Sequence, residues 1–270
     1  MPELPEVETT RRGLEPVLVG RSIESLQVRE RRLRWPIRTD LPARLRGKAI
    51  RALSRRGKYL LIDVGDGALL VHLGMSGSLR FLAAPEAPGR HDHVDLNLIG
   101  GGCVRFNDPR RFGSFHFAKA PERHRLLKEL GPEPLGAAFT VEYLARACQG
   151  RETSIKQHLM NGKIVVGVGN IYANEALFRA GIHPARSAGR ISRKRLALLV
   201  DAVRGVLEDA LGHGGTTLRN FVGGDGRPGY FRLELEVYER AGQPCKHCGT
   251  SIRRTVLGQR ATYYCPRCQR

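Results

Sequence analysis

Two Cys-x2-Cys pairs, Cys245/Cys248 and Cys265/Cys268, with sixteen residues between them, constrain this chain more tightly than any other feature. Four thiolates at this spacing satisfy tetrahedral zinc and leave no ligand position open for water, so they specify one structural zinc ion. No catalytic metal or organic cofactor is expected. Paired disulfides are the alternative for the same letters. The other cysteines, Cys103 and Cys148, lie far apart; a cluster of four with two stragglers favours metal, and a reducing compartment. Between the pairs, Ile252–Val256 and Ala261–Tyr264 read as a hairpin whose turn, Gly258-Gln259-Arg260, is exposed and basic.

Charge narrows the partner. The chain carries 45 Lys+Arg against 26 Asp+Glu, a net +19, which is the electrostatic footprint of a nucleic-acid binder. A merely soluble basic protein or a ribosomal component is the bland alternative. Charges from Glu3 to Arg12 interrupt the start of the chain, so neither a signal peptide nor a membrane span opens it, and a cytoplasmic protein is expected. At 270 residues, two domains are expected.

Apolar residues at Leu4, Val7, Leu14, Val17 and Leu18 predict an amphipathic helix over Leu4–Val19, flawed by Pro16 and ended by Gly20. Short strands then follow at Ile23–Arg29, Ile50–Ser54, Tyr59–Val64, Leu69–Leu73, Ser78–Leu82, Val94–Ile99, Val104–Asn107 and Ser114–Phe117. Asp66-Gly67 and the run Gly100–Gly102 mark hairpins. This is an α+β chain whose N-terminal part is an antiparallel β-sandwich or barrel; it contains no nucleotide-binding glycine fingerprint. The proline-bearing stretch 121–136, with one short helix inside it, reads as a linker.

Beyond the linker the period shifts to about 3.6. Helices are predicted at Thr140–Gln149, Ser154–Met160, Ile171–Ala180 and Ser192–Leu211, the last with Leu196, Leu199, Val203, Leu207 and Leu211 on one face. Ser154 with Gln157 fits a capping box, and Asn170 is placed to cap the third helix. The loop 161–170 before that helix suits a phosphate seat and equally an ordinary capped connection.

Pro2-Glu3-Leu4-Pro5-Glu6 carries two meanings. Proline and acidic residues suit an ordinary helix start. Removal of Met1 would also expose Pro2 as a secondary amine, and an α-amino group titrates near 7.7–8.0, so such an amine can attack an electrophilic sugar carbon as lysine Schiff bases do. Glu3 and Glu6 stand by for proton transfer.

Over essentially its whole length the chain resembles the bacterial formamidopyrimidine-DNA glycosylase family. Four separated motifs carry the likeness: Pro2–Glu6, Asn107-Asp108-Pro109-Arg110-Arg111-Phe112-Gly113, Gly167-Val168-Gly169-Asn170-Ile171-Tyr172-Ala173, and the four cysteines. The resemblance implies a β-sandwich with a nucleophile helix over 1–120, the linker 121–136, a helix–two-turns–helix DNA-binding domain over 137–235, and a β-hairpin zinc finger over 236–270. It implies a monomeric base-excision enzyme acting on double-stranded DNA with an oxidised purine such as 8-oxoguanine or a formamidopyrimidine.

In that reading Pro2 attacks C1′, Glu3 gives a proton to the opening deoxyribose, Glu6 supports the same network, and Lys58 serves the elimination steps beside a phosphate. Arg260 matches an arginine assigned a proton-donor role; a guanidinium stays protonated, so clamping the leaving phosphate describes it better. Met75, Arg110 and Phe112 resemble a triad that fills the hole left by an everted nucleotide. His72, His91, Arg151 and Asn170 resemble DNA-phosphate contacts. The glycine-rich stretch 217–230 resembles a lid over the everted base. The rival within this class is the endonuclease VIII type, which prefers oxidised pyrimidines; outside it, a zinc-ribbon DNA-binding protein without catalysis.

Overall fold

A computed structural model describes residues 2–213 and 235–270; the lid expected at 217–230 lies outside the described residues. Contacts divide the described chain between Lys128 and Glu129 into two compact units.

The first unit opens with α1 (Leu4–Leu18). Leu4, Val7, Leu14 and Leu18 are buried, each worth about 1.5–3 kcal/mol relative to exposure, so the tip of this helix is anchored. Pro16 sits in the last turn on the exposed side, and the helix runs on past it. Next come β1 (Ile23–Val28), a five-residue helix α2 (Leu41–Leu45), β2 (Ala52–Arg56), β3 (Tyr59–Asp63), β4 (Ala68–His72), β5 (Ser78–Leu82), β6 (Asp92–Leu98), β7 (Cys103–Asn107) and β8 (Ser114–Ala118).

These strands form two antiparallel sheets, ordered β1-β6-β7-β5 and β2-β3-β4-β8. Period-two patterning explains the sandwich: Leu96, Val104 and Phe106 of one sheet meet Leu60, Ile62, Leu69, Val71 and Phe115 of the other in one core with Leu14 and Leu18 of α1.

The predicted strand at Ile50–Ser54 is displaced by two residues. A two-residue turn, Gly57-Lys58, pairs Arg56 with Tyr59 and fixes the register, which draws the polar Arg55 and Arg56 into the ladder. Ile50 is buried but bonds instead to the backbone of Gly20 and Arg21. Helix α2 is too short to declare a period.

The linker holds a single 3-10 turn, Pro121–Arg123. In the second unit, α3 (Val141–Cys148) is capped by Thr140, whose Oγ1 accepts from the Tyr143 N–H at 3.1 Å. Helix α4 (Ile155–Met160) starts after Ser154, which accepts from the Gln157 N–H and donates to its Oε1 at 2.8 Å, a side-chain pairing in place of the reciprocal box. Helix α5 (Asn170–Arg179) is buried from Ile171 to Phe178, and α6 (Arg193–Gly212) packs on it, with Leu196, Leu199, Val203 and Leu207 buried and Leu211 only half-buried. Strands β9 (Arg253–Leu257) and β10 (Arg260–Tyr264) form the expected hairpin. Among the described residues, no helix is long and apolar enough to cross a membrane.

Candidate functional site

At the start of α1 both readings of the opening motif hold together. Glu3 is the N-cap and Glu6 the third helical residue of a capping box, the Glu3 N–H donating to Glu6 Oε2 at 2.8 Å. Yet this helix start is buried, with Pro2 enclosed, Glu3 1 % exposed and Glu6 fully covered. An ordinary surface helix has no reason to bury two carboxylates, because the cost of desolvating them must be offset. Glu6 is therefore committed to holding Glu3 and the backbone beside Pro2.

One turn later, Glu8 ties α1 to β2 through Arg55 at 3.2 Å. Burial pushes the Glu8 carboxyl up, but Arg11, Arg12 and Arg55 outweigh it and hold the group below its ordinary range. The same β2 leads into the turn that presents Lys58, half-buried after Gly57 at φ +57°.

His72 ends β4. Its Nδ1 accepts from the Gly74 N–H at 2.9 Å, which leaves the ring proton on Nε2. Burial, with Lys58 and Arg34 nearby, lowers its pKa to about 4. At neutral pH His72 thus offers a neutral N–H donor rather than a charge.

Met75, Arg110 and Phe112 come from two loops that meet. Phe112 is 40 % exposed and Met75 half-buried, so neither is the core residue that an isolated reading allows. The Arg110 guanidinium lies over the Phe112 ring, 5.0 Å from its centroid. Gly74 has φ +69°, and a Cβ there would sit 2.5 Å from Gly113 N, so only glycine permits this approach. Arg111 holds the left-handed region at φ +56° and pairs with Glu30 at 3.3 Å. His91 lies on this side as well, half-buried against His93 at 6.4 Å.

Asp108 joins these loops, and sequence reading assigned it no role. Fully buried, it accepts from Ser76 Oγ and from the Gly113 N–H, both at 2.8 Å. Asp before Pro109 is a turn signal that would have flagged it. Asp108→Ala is expected to cost about 1–3 kcal/mol, the desolvation penalty of orphaned buried donors, and to loosen Met75 from Phe112. Thermal unfolding and lesion-excision rates check this.

In the second unit the four Sγ atoms lie within 4.8 Å of one another, with Cys245–Cys268 at 3.9 Å and Cys248–Cys265 at 3.4 Å. Disulfide sulfurs would be about 2.05 Å apart, whereas a tetrahedron with Zn–S near 2.3 Å has edges of about 3.8 Å. The donor set fits one structural zinc. Arg260 follows the Gly258-Gln259 turn, where both residues have positive φ, +54° and +61°.

Asn170 is not the cap of α5: Gly169 takes that position and Asn170 is the first helical residue. Glycine's extended backbone suits the cap, and this frees the Asn170 amide to donate to Ala261 O at 3.0 Å, beside Arg260. Lys156, fully buried, donates to the same carbonyl at 2.9 Å and to Thr262 Oγ1 at 2.7 Å. Arg151 is exposed after α3. Glu175 was also missed: it accepts from the N–H groups of Glu236, Val237 and Tyr238 at 2.8, 3.0 and 2.9 Å. Burial raises its pKa against the pull of those three amides. A single acid inside a buried helix gives no sequence signal for such a role.

A β-sandwich that buries a proline-led helix start, a helical domain and a four-thiolate hairpin define a DNA-acting enzyme of the helix–two-turns–helix, zinc-finger class. Residues 1–115 match the formamidopyrimidine-DNA glycosylase N-terminal domain, 130–222 the formamidopyrimidine-DNA glycosylase H2TH domain, and 242–270 the zinc finger found in FPG and IleRS. The chain is 57 % identical to formamidopyrimidine-DNA glycosylase of Alkalilimnicola ehrlichii and 57 % identical to that of Methylococcus capsulatus, each covered completely on both sides. Among solved structures, MutM (Fpg) of Thermus thermophilus matches at TM-score 0.89 and 39 % identity, covering 99 % of this chain and 98 % of that one. Lactococcus lactis Fpg in complex with abasic-site DNA matches at 0.92 and 34 %, covering 99 % of each. The chain belongs to the formamidopyrimidine-DNA glycosylase family.

Proposed function

We propose that this protein removes oxidised purines from duplex DNA and then cleaves the strand, using Pro2 as the nucleophile. The observation that carries this reading is the burial of Pro2 beside Glu3 and Glu6 at the tip of a packed helix. Support comes from solved relatives bound to DNA containing an abasic site and, for a Lactococcus lactis Fpg variant, Fapy-dG.

Once Met1 is removed, the Pro2 nitrogen attacks C1′ of the damaged nucleoside, and the C1′–N bond breaks as the base leaves. Glu3 gives a proton to the ring oxygen as the deoxyribose opens, producing an iminium between Pro2 and C1′. The iminium acidifies the 2′ proton; its loss expels the 3′ phosphate, and a second elimination expels the 5′ phosphate. Lys58 serves these eliminations, and Arg260 clamps a leaving phosphate. Met75 and Phe112 wedge the gap left in the stack while Arg110 reads the orphaned base. His72, His91, Arg151 and Asn170 hold the backbone, His72 as a neutral donor. The zinc stabilises the hairpin that carries Arg260 and supplies no reaction chemistry. The protein acts as a monomer in the cytoplasm.

Comparing excision of 8-oxoguanine opposite cytosine with excision of thymine glycol tests the substrate assignment. The purine lesion is expected to be processed faster; a clear thymine-glycol preference would move the protein to the endonuclease VIII type.

A further inference from the structure

A basic patch in the first unit plays no part in the chemistry above. Cations around it are mostly answered by carboxylates: Arg29 by Asp95, Arg32 by Glu30, and Arg38 and Arg44 by Asp40. Arg34 and Arg125 are different. Both are exposed and both rest on the ring of Trp35, their guanidinium carbons 4.9 and 5.1 Å from its centroid. Among the described residues, neither pairs with a carboxylate. Two like charges gathered on one indole repel each other, and an anion in front of them would remove that repulsion.

The surroundings say which anion. Trp35 packs edge-on against His116 at 5.6 Å, and His116 Nε2 is buried without a hydrogen-bond partner among the described residues. The Arg34 N–H donates to Gly113 O at 3.2 Å, next to Phe112. The charges of Arg34 and Arg125 both bear on the Tyr59 phenol, whose ring lies 4.8 Å from that of His72. The patch is therefore continuous with the Lys58–His72 edge and the Phe112 loop.

We propose that Arg34 and Arg125, held in place by Trp35, form a seat for one backbone phosphate of bound duplex DNA, outside the lesion nucleotide. The inference rests on the DNA-repair reading above. The indole holds both guanidinium groups close together, and a planar guanidinium can fork its N–H edges onto phosphate oxygens in a way that a lysine ammonium cannot match. As a backbone contact the seat fixes register and is indifferent to base sequence.

Trp35 is the only tryptophan in the chain, so its emission reports on the seat directly. The experiment titrates zinc-loaded full-length protein with lesion duplex over a series of salt concentrations, following both Trp35 emission and affinity. Wild type is compared with the Arg34→Gln/Arg125→Gln double variant, whose thermal unfolding is measured alongside. The expected result is a Trp35 emission change on binding that the variant loses, and a log-log salt slope shallower by about 0.9, the value for one phosphate. An Arg34→Lys/Arg125→Lys variant should keep most of that slope. An unchanged slope overturns the proposal, and with a lowered melting temperature it assigns the contacts to packing alone. If wild type itself fails to bind lesion DNA, the broader reading has failed instead.

Discussion

Stripping the zinc abolishes tight binding to lesion DNA while residues 2–128 stay folded. The finger's hydrophobic cluster buries Phe178, Val237, Ile252 and the ligands Cys245 and Cys265, with Tyr263, Cys248 and Cys268 partly buried against it. So few apolar side chains, at about 1.5–3 kcal/mol each when fully buried, cannot offset roughly 1–2 kcal/mol of backbone entropy for every residue the finger orders. A structural zinc contributes about 10–16 kcal/mol to folding in such small domains. Without it the turn that presents Arg260 is lost, and with it the bonds from Lys156 and Asn170 to Ala261. The core of the sandwich contains no finger residue and needs no metal. Stepwise chelation, with Trp35 emission of DNA-free protein following the first unit and a separate binding assay following DNA, should show affinity falling at least about 100-fold, or about 2.7 kcal/mol, before that emission changes. Undiminished binding by metal-free protein would contradict this.

A protein that keeps any residue ahead of Pro2 is expected to lose excision by more than about 1,000-fold, over 4 kcal/mol of transition-state stabilisation. With a residue attached, the Pro2 nitrogen is a tertiary amide and its lone pair is committed to resonance. Binding to a stable abasic-site analogue should survive far better than turnover. Single-turnover excision by uniformly blocked protein makes the comparison; normal rates would remove Pro2 from the mechanism.

Much of this molecule was legible in its sequence, for reasons that can be named. Period-two patterning placed the strands and the cysteine spacing placed the finger, because both are local signals that tertiary contacts only confirm. What escaped were features set by contacts distant along the chain. The register of β2 follows the Gly57-Lys58 turn rather than the apolar Ile50. Asn170 gives its side chain to Ala261, far along the chain, so its local aptitude for capping is overridden by Gly169. Asp108 and Glu175 gather backbone N–H groups from other segments, and nothing in their immediate neighbours encodes that. The opening motif was ambiguous for a different reason: a capping box and a poised amine require the same letters, and the burial of the helix start is what separates a surface cap from a buried one.

The most direct test is borohydride reduction during incubation with duplex carrying 8-oxoguanine. A secondary amine that has formed an iminium with C1′ is reduced to a stable protein–DNA adduct, and proteolysis followed by mass spectrometry locates the link. A covalent adduct on Pro2 is expected in protein lacking Met1, and none when a residue precedes Pro2. An adduct on a lysine, or strand cleavage by active protein without any adduct, would contradict it.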